Sequence, residues 1–244
     1  MIALITGAGR GIGRAIAIGL AGKGYHTILV ARSEGQITDV AKEISEAGGK
    51  ATPLTCDITD SKSVSDLHDK TFEIGKVSIL INNAGIAPSA KIGDTTDEIW
   101  QKAIATNASG PFYLIRSYIA DMKSLGYGHI INIASTAALE GFSYTSAYTA
   151  SKHAMIGLSR AIAKELSRSK IKVSTICPGF VRTNILETSI INIMTKTGKE
   201  RSQAENELGA MNKGGKIIEP EEVAKAVLAE LGMPLDPNGR EIIL

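Results

Sequence analysis

Two hydrophobic rhythms alternate along the chain. Runs at 2–6, 27–31, 51–56, 78–82, 129–134 and 172–177 are rich in Ile, Val, Leu and Ala. Short runs that are nearly continuous in apolar residues read as strands buried on both faces. Between them, 12–23, 35–47, 61–74, 96–124 and 148–167 repeat apolar residues at spacings of three and four, which predicts amphipathic helices. Strand followed by helix, again and again, predicts the α/β class: a doubly wound parallel sheet in three α/β/α layers.

The rhythm breaks at 184–216. This stretch is polar and Gly-bearing, with Ile190, Ile191, Ile193 and Met194 as an apolar patch. Glu219-Pro220-Glu221-Glu222 then opens another helix, since proline suits the first turn and acids suit an N-terminus. Residues 240–244 are expected to form a last edge strand. No repeat or linker interrupts the chain, so 1–244 is expected to be a single domain, with 184–216 as a lid over the substrate.

Composition changes this picture little. Apolar residues make up 43% of 244 residues, and the net charge is +2. The scattered charges give no footprint for nucleic acid. No apolar run approaches the roughly 18 residues that span a membrane, and no secretory leader is expected. Neither Cys56 nor Cys177 sits in a ligand cluster, and the four histidines lack ligand spacing, so no metal site is expected. A cytoplasmic enzyme with a small-molecule partner fits these features.

The chemistry begins at Thr6-Gly7-Ala8-Gly9-Arg10-Gly11-Ile12-Gly13, which follows the first strand and opens the first helix. Glycines there let backbone N–H groups approach a pyrophosphate, and the helix N-terminus favours its charge. The place of this turn, in the first strand–helix unit, predicts a Rossmann-type dinucleotide site. The second strand ends Leu29-Val-Ala-Arg-Ser33. An acid that would bind the ribose of NAD is expected at Ala31, but alanine stands there and Arg32 follows. A guanidinium suits a 2′-phosphate, with Arg10 as a second positive charge, so NADP(H) is favoured. Glu34, an acid at nearly the right distance, leaves NAD(H) open.

Tyr148 and Lys152 stand at i and i+4, on one face of a helix. An ammonium beside a phenol favours the phenolate and is expected to lower its pKa. Such a tyrosine can pass a proton to or from a substrate oxygen. Ser135 follows the 129–134 strand, at the sheet edge where doubly wound folds bind ligands, and can hold a carbonyl oxygen. Ser143 and Ser146 are alternatives that do not directly follow a strand.

With these residues in place, the chain resembles the short-chain dehydrogenase/reductase family in its single-domain form. The resemblance rests on 6–13, Asn82-Asn-Ala-Gly85, Asn107, Ser135, Tyr148 to Lys152, and Pro178-Gly-Phe-Val-Arg-Thr183. It implies an enzyme that interconverts a ketone and a secondary alcohol. Tyr148 would be the acid or base. Lys152 would lower the tyrosine pKa and hold the nicotinamide ribose. Ser135 would orient the carbonyl, and Asn107 would hold a water in a relay to Lys152.

The cofactor would also meet Asp57 and Ile58 near the adenine, and Asn83, Ala84 and Gly85 at its middle. Pro178, Gly179, Val181 and Thr183 would lie toward its carboxamide. Ala137, Leu139, Phe142, Tyr144 and Phe180 are candidates to touch substrate. Parts of the chain resemble acetoacetyl- and 3-oxoacyl-thioester reductases. The family also implies a homo-oligomer, a tetramer or dimer, with the 96–124 and 148–167 helices at its interface. The alternatives are a non-catalytic dinucleotide-binding regulator, an epimerase or dehydratase on a related fold, and an NAD-dependent alcohol dehydrogenase.

Overall fold

The computed structural model describes residues 1–234 and 238–244. The chain opens with β1 (Ile2–Thr6), α1 (Gly11–Ala21), β2 (His26–Ala31), α2 (Glu34–Glu46), β3 (Lys50–Thr55), α3 (Ser61–Ile74) and β4 (Ile79–Asn82). It continues with α4 (Asp97–Ile104), α5 (Gly110–Leu125), β5 (Gly128–Ile133), α6 (Ser146–Glu165) and β6 (Ile171–Cys177). It ends with α7 (Asn184–Thr197), α8 (Arg201–Ala210), α9 (Pro220–Leu231) and β7 (Arg240–Ile243).

Among the described residues, seven strands form one sheet in the order β3-β2-β1-β4-β5-β6-β7. Every pairing is parallel. The order reverses between β1 and β4, which pair through Ala3 with Ile79 and Ile5 with Ile81. A crevice opens where connections leave in opposite directions, at the carboxyl ends of these strands.

The period-two alternation of each strand feeds two cores. Ala3, Ile5, Leu29, Ile79, Ile81 and Ile131 face one way, toward Ile16 and Leu20 of α1, Ile37 of α2 and Val223 of α9. Leu4, Ile28, Val30, Leu80, Ile130 and Val173 face the other, toward Leu67 of α3, Leu114 and Tyr118 of α5, and Ala163 of α6. Helix α9 starts as its sequence predicts, with Pro220 in its first turn and a reciprocal Glu219/Glu222 capping box.

The structure departs from the sequence expectations at three places. The 51–56 run is the edge strand β3, and most of its residues are only half-buried. Pro53 pairs with Leu29 there, which an edge tolerates because the missing N–H can face away from the sheet. The predicted 96–124 helix is two helices joined by a π-helical turn at Ala105–Ser109. Pro111, in the first turn of α5, has no N–H to give the carbonyl of Asn107 four residues earlier, so the regular ladder stops at that asparagine. The irregular 184–216 stretch contains α7 and α8, whose Leu186, Ile190, Ala204 and Leu208 form a separate small cluster.

Among the described residues, no helix is long and apolar enough to cross a membrane.

Candidate active site

The carboxyl ends of the strands and the loops after them line one cleft of about 1310 Å³. It runs from the Gly-rich turn after β1 to the inner face of α7.

At one end, β1 turns through Gly7, whose φ of +65° is open to glycine at little cost. Helix α1 then packs so close that a Cβ on Gly13 would lie 2.2 Å from the Gly7 carbonyl oxygen. Asn83 braces the turn: its Nδ2 donates to the carbonyls of Thr6 at 2.8 Å and Gly7 at 3.3 Å. The Thr6 hydroxyl in turn accepts from the amides of Asn83 and Ala84, both at 3.0 Å. Arg10, the residue before α1, gives no side-chain cap, so the first N–H groups of the helix are left for another acceptor.

These features fit a dinucleotide pyrophosphate. Gly7, Gly9, Arg10, Gly11 and Ile12 line the cleft. Thr6 and Gly13 do not: both are buried behind its wall.

Arg32 leaves the end of β2 exposed and lines the cleft beside Arg10. Among the described residues neither guanidinium has a salt-bridge partner. Glu34 lies in the first turn of α2 and is not part of the cleft wall. Asp57 and Ile58, after β3, are part of it. Partial burial pushes the Asp57 carboxyl upward, but the Thr59 amide and hydroxyl and the Arg32 charge outweigh that and hold it below its usual value. Sequence reasoning missed Ser33 and Gln36, which also face the cleft here. The signal available was their place in the first turn after Arg32.

The middle of the cleft is built from β4, β5 and α6. Ser135 sits just past β5, with its Oγ accepting from the Ala137 amide at 3.1 Å. Tyr148 and Lys152 rise from α6 on the same side, and all three line the cleft. Ser143 lines it too, whereas Ser146 does not.

Lys152 is buried; its Nζ donates to the carbonyl of Ile133 at 2.8 Å and lies 5.9 Å from the Tyr148 ring centroid. Burial pulls its ammonium down to about 8, against a small opposing effect of Cys177. Burial also pushes the Tyr148 phenol above its ordinary value, while the neighbouring Ser135 hydroxyl pulls it back and Cys177 adds to the rise. The expected lowering of the tyrosine pKa is therefore reversed here: desolvation of the phenol outweighs an ammonium directed at a backbone carbonyl.

Asn107 is fully buried in the π-helical turn and does not line the cleft. Its Nδ2 donates to the Ile86 carbonyl at 2.9 Å and to Ser151 Oγ at 2.8 Å, and its Oδ1 accepts from the Ile86 amide at 3.0 Å. The Ser151 hydroxyl in turn donates a hydrogen bond to the Tyr148 carbonyl at 2.7 Å. A Cβ on Gly85 would lie 3.1 Å from Asn107 Oδ1 and 3.6 Å from Lys152 Nζ, so the two side chains flank the same glycine.

At the far end, Ala137, Phe142, Tyr144 and Phe180 line the cleft, whereas Leu139 does not. Pro178, Gly179, Val181 and Thr183, on the turn after β6, line it as well. Asn212, unnoticed in the sequence, shapes that turn. Its Oδ1 accepts from the Phe180 amide at 2.7 Å, and its Nδ2 donates to the carbonyls of Phe180 at 2.9 Å and Lys216 at 2.7 Å.

A helix N-terminus open to a sheet-edge cleft, with a buried lysine and a tyrosine further along it, defines a nicotinamide-dependent oxidoreductase. Comparison with known proteins agrees. A family profile described as short chain dehydrogenase matches residues 1–199. A D-beta-hydroxybutyrate dehydrogenase of Rhizobium meliloti is 37% identical over 232 residues, 93% of this chain and 89% of the relative. A 3beta-hydroxysteroid dehydrogenase of Mediterraneibacter gnavus is 35% identical over 207 residues, 84% of this chain and 75% of the relative. A crystal structure of an actinorhodin polyketide ketoreductase variant with NADPH is 31% identical and superposes with a TM-score of 0.95, covering 100% of this chain and 95% of that one. The chain belongs to the short-chain dehydrogenase family.

Proposed function

We propose that the protein is an NADP(H)-dependent reductase of a ketone to a secondary alcohol, with Tyr148 as proton donor. One observation carries this reading: Ser135, Tyr148 and Lys152 line the same cleft as the Gly-rich turn and Arg32. NADPH, when bound, supplies the hydride. Gly9, Gly11 and Ile12 would hold its pyrophosphate, Arg10 and Arg32 its 2′-phosphate, and Asp57 and Ile58 its adenine end. Asn83, Ala84, Gly85 and the turn at Pro178, Gly179, Val181 and Thr183 would hold the rest. The NADPH in the ketoreductase structure described above supports the choice of cofactor.

In this reading the Ser135 hydroxyl donates to the substrate carbonyl oxygen and fixes it beside Tyr148. The phenol gives its proton to that oxygen as the alkoxide forms. A phenol pushed up by burial stays protonated at neutral pH, which suits reduction. Lys152 would hold the nicotinamide ribose and return a proton to Tyr148. Asn107 is a positioning residue that fixes Ile86 and, through Ser151, the Tyr148 backbone. Its Oδ1 keeps a second lone pair for the relay water.

Helices α7 and α8 would act as the lid over the substrate, and their separate apolar cluster supports that. Oxoacyl thioesters remain among the substrates this site could take. We further propose a homo-oligomer. Exposed Trp100 on α4 and Phe112 on α5, with Arg116 stacked on Phe112 at 5.1 Å, offer an apolar face for a second copy. The two free, buried thiols Cys56 and Cys177 suit the reducing cytoplasm.

A panel of ketones and alcohols, assayed by nicotinamide absorbance with each cofactor, tests the activity. Reduction of at least one ketone, faster with NADPH, is expected. Tight NADPH binding without turnover of any compound would favour the non-catalytic regulator instead.

A further inference from the structure

Among the described residues, six charged side chains line the cleft: Arg10, Arg32, Lys91, Lys152, Lys196 and Asp57. Five are cationic and one is a carboxylate, an imbalance that needs explaining in a chain whose net charge is only +2. Arg10, Arg32 and Lys152 have work in the proposed cofactor site, and Asp57 stands beside Arg32. Lys91 and Lys196 have none. They belong to the opposite end of the cleft, where among the described residues no carboxylate forms part of the wall. Glu140, the acid of the loop before α6, is not part of it.

Two other cations of the lid, Lys199 and Arg201, behave differently. Lys199 pairs with Glu207 at 2.5 Å, and Arg201 reaches Glu187 and Glu205. Lys196 and Lys91 form no salt bridge among the described residues. Lys196 instead holds its Nζ 5.9 Å from the ring centroid of Tyr144. Tyr144 is the one non-glycine residue with positive φ among those described, at +66°, a conformation that a side chain resists. Its carbonyl accepts from the amide of Ala90 at 2.8 Å, which fastens the loop carrying Lys91 to the same tyrosine. Strain of this kind persists where the surroundings fix it, and it collects at ligand-binding positions. The loop before Lys91 thus meets the backbone of Tyr144, while Lys196 of α7 meets its ring.

We infer that Lys91 and Lys196, on two segments that each meet Tyr144, bind an anionic group at the end of an elongated, otherwise apolar substrate. Carboxylate and phosphate share the chemistry that two ammonium groups recognise. The apolar body would lie along Phe142, Phe180 and Ile193, which line the same cleft. The inference names a substrate class for the reductase proposed above and rests on that reading.

Its test measures binding and needs no turnover, so it fails independently of the ketone reductase reading, which the assay panel decides. Decanoate, decyl phosphate and the neutral decanamide would each be titrated into the NADPH-saturated protein by calorimetry. At least one anion is expected to bind roughly tenfold tighter than the amide, and to lose that advantage as salt rises. The anion that gains more identifies the group. In a Lys91→Gln/Lys196→Gln double variant, with NADPH binding checked in parallel, the preference should vanish while decanamide affinity stays within about twofold. Equal binding of anions and amide, or a preference unchanged in the double variant, overturns the inference.

Discussion

Asn107 holds both backbone polar groups of Ile86, giving to its carbonyl at 2.9 Å and taking from its amide at 3.0 Å. The loop after β4 is thereby tied to the turn between α4 and α5 directly behind Lys152. Asn107→Ala leaves the half-buried N–H and carbonyl of Ile86 without these partners and is expected to cost about 1–3 kcal/mol of stability. It should also lower kcat more than it raises KM for ketone, because Tyr148 loses its fixed backbone. Asn107→Asp should not recover the stability, since its carboxylate keeps the bond from the Ile86 amide but sets an oxygen against the Ile86 carbonyl at a fully buried position. Denaturant unfolding and steady-state kinetics check both; a wild-type kcat in Asn107→Ala would remove the positioning role.

Tyr148→Phe is expected to lower kcat at least about a hundredfold while NADPH affinity stays near wild type. The pH profile supplies a second reading. Lys152, pulled down to about 8 by burial, is charged below that value and loses its proton above it. Reduction should therefore be level through neutral pH and decline as pH rises through about 8, whereas alcohol oxidation, which needs the phenolate, should rise. A reduction rate still climbing above pH 9, roughly one unit past the lysine value, contradicts this assignment.

Arg32→Ala tests the cofactor choice. One or two charge-assisted bonds to a 2′-phosphate are worth roughly ten- to a hundredfold in affinity, and only NADPH should lose them. NADH affinity should change less than about threefold, since its ribose carries no charge for the guanidinium to meet. Equal losses for both, read by fluorescence titration, remove the argument from Arg32.

Acid sensitivity should originate far from the cleft. His129, at the start of β5, is buried and faces Ser174 at 3.1 Å, beside the Lys172–Glu230 ion pair. Burial, then the Lys172 charge, pulls its pKa from 6.5 down to about 4, against the pull of Glu230. Between those values the unfolded chain takes up a proton that the folded one refuses. Stability therefore falls as pH drops from 6.5 to 4, by up to about 3 kcal/mol in all, and this group adds no further loss below that. His129→Asn should flatten the slope in urea unfolding across this window. An unaltered slope would assign the acid loss to other groups.

Much of this was readable in the chain. β1 and β4 carry nearly unbroken apolar runs because both their faces are covered, and β5 and β6 keep enough Ile and Val among their buried polar residues to read the same way. The Gly-rich turn was readable because only glycine fits where α1 meets Gly7. The break at Asn107 was not, since apolar spacing continues across it and the decisive fact is the N–H that Pro111 lacks. The burial that raises the Tyr148 pKa was hidden as well. Spacing on a helix places Lys152 near the ring but says nothing of Ile133, whose carbonyl claims the ammonium. Asn212 was silent for a similar reason: two of its three bonds go 32 residues back, to the backbone of Phe180.

The separate cluster of Leu186, Ile190, Ala204 and Leu208 has a wider consequence. These side chains pack mainly on one another, while the sheet is held by other residues on its two faces. Changes within α7 and α8 can remodel one end of the cleft without withdrawing support from β1, β5 or α6. Inheritance can then retune what the molecule accepts while the framework that performs the reaction passes on unaltered.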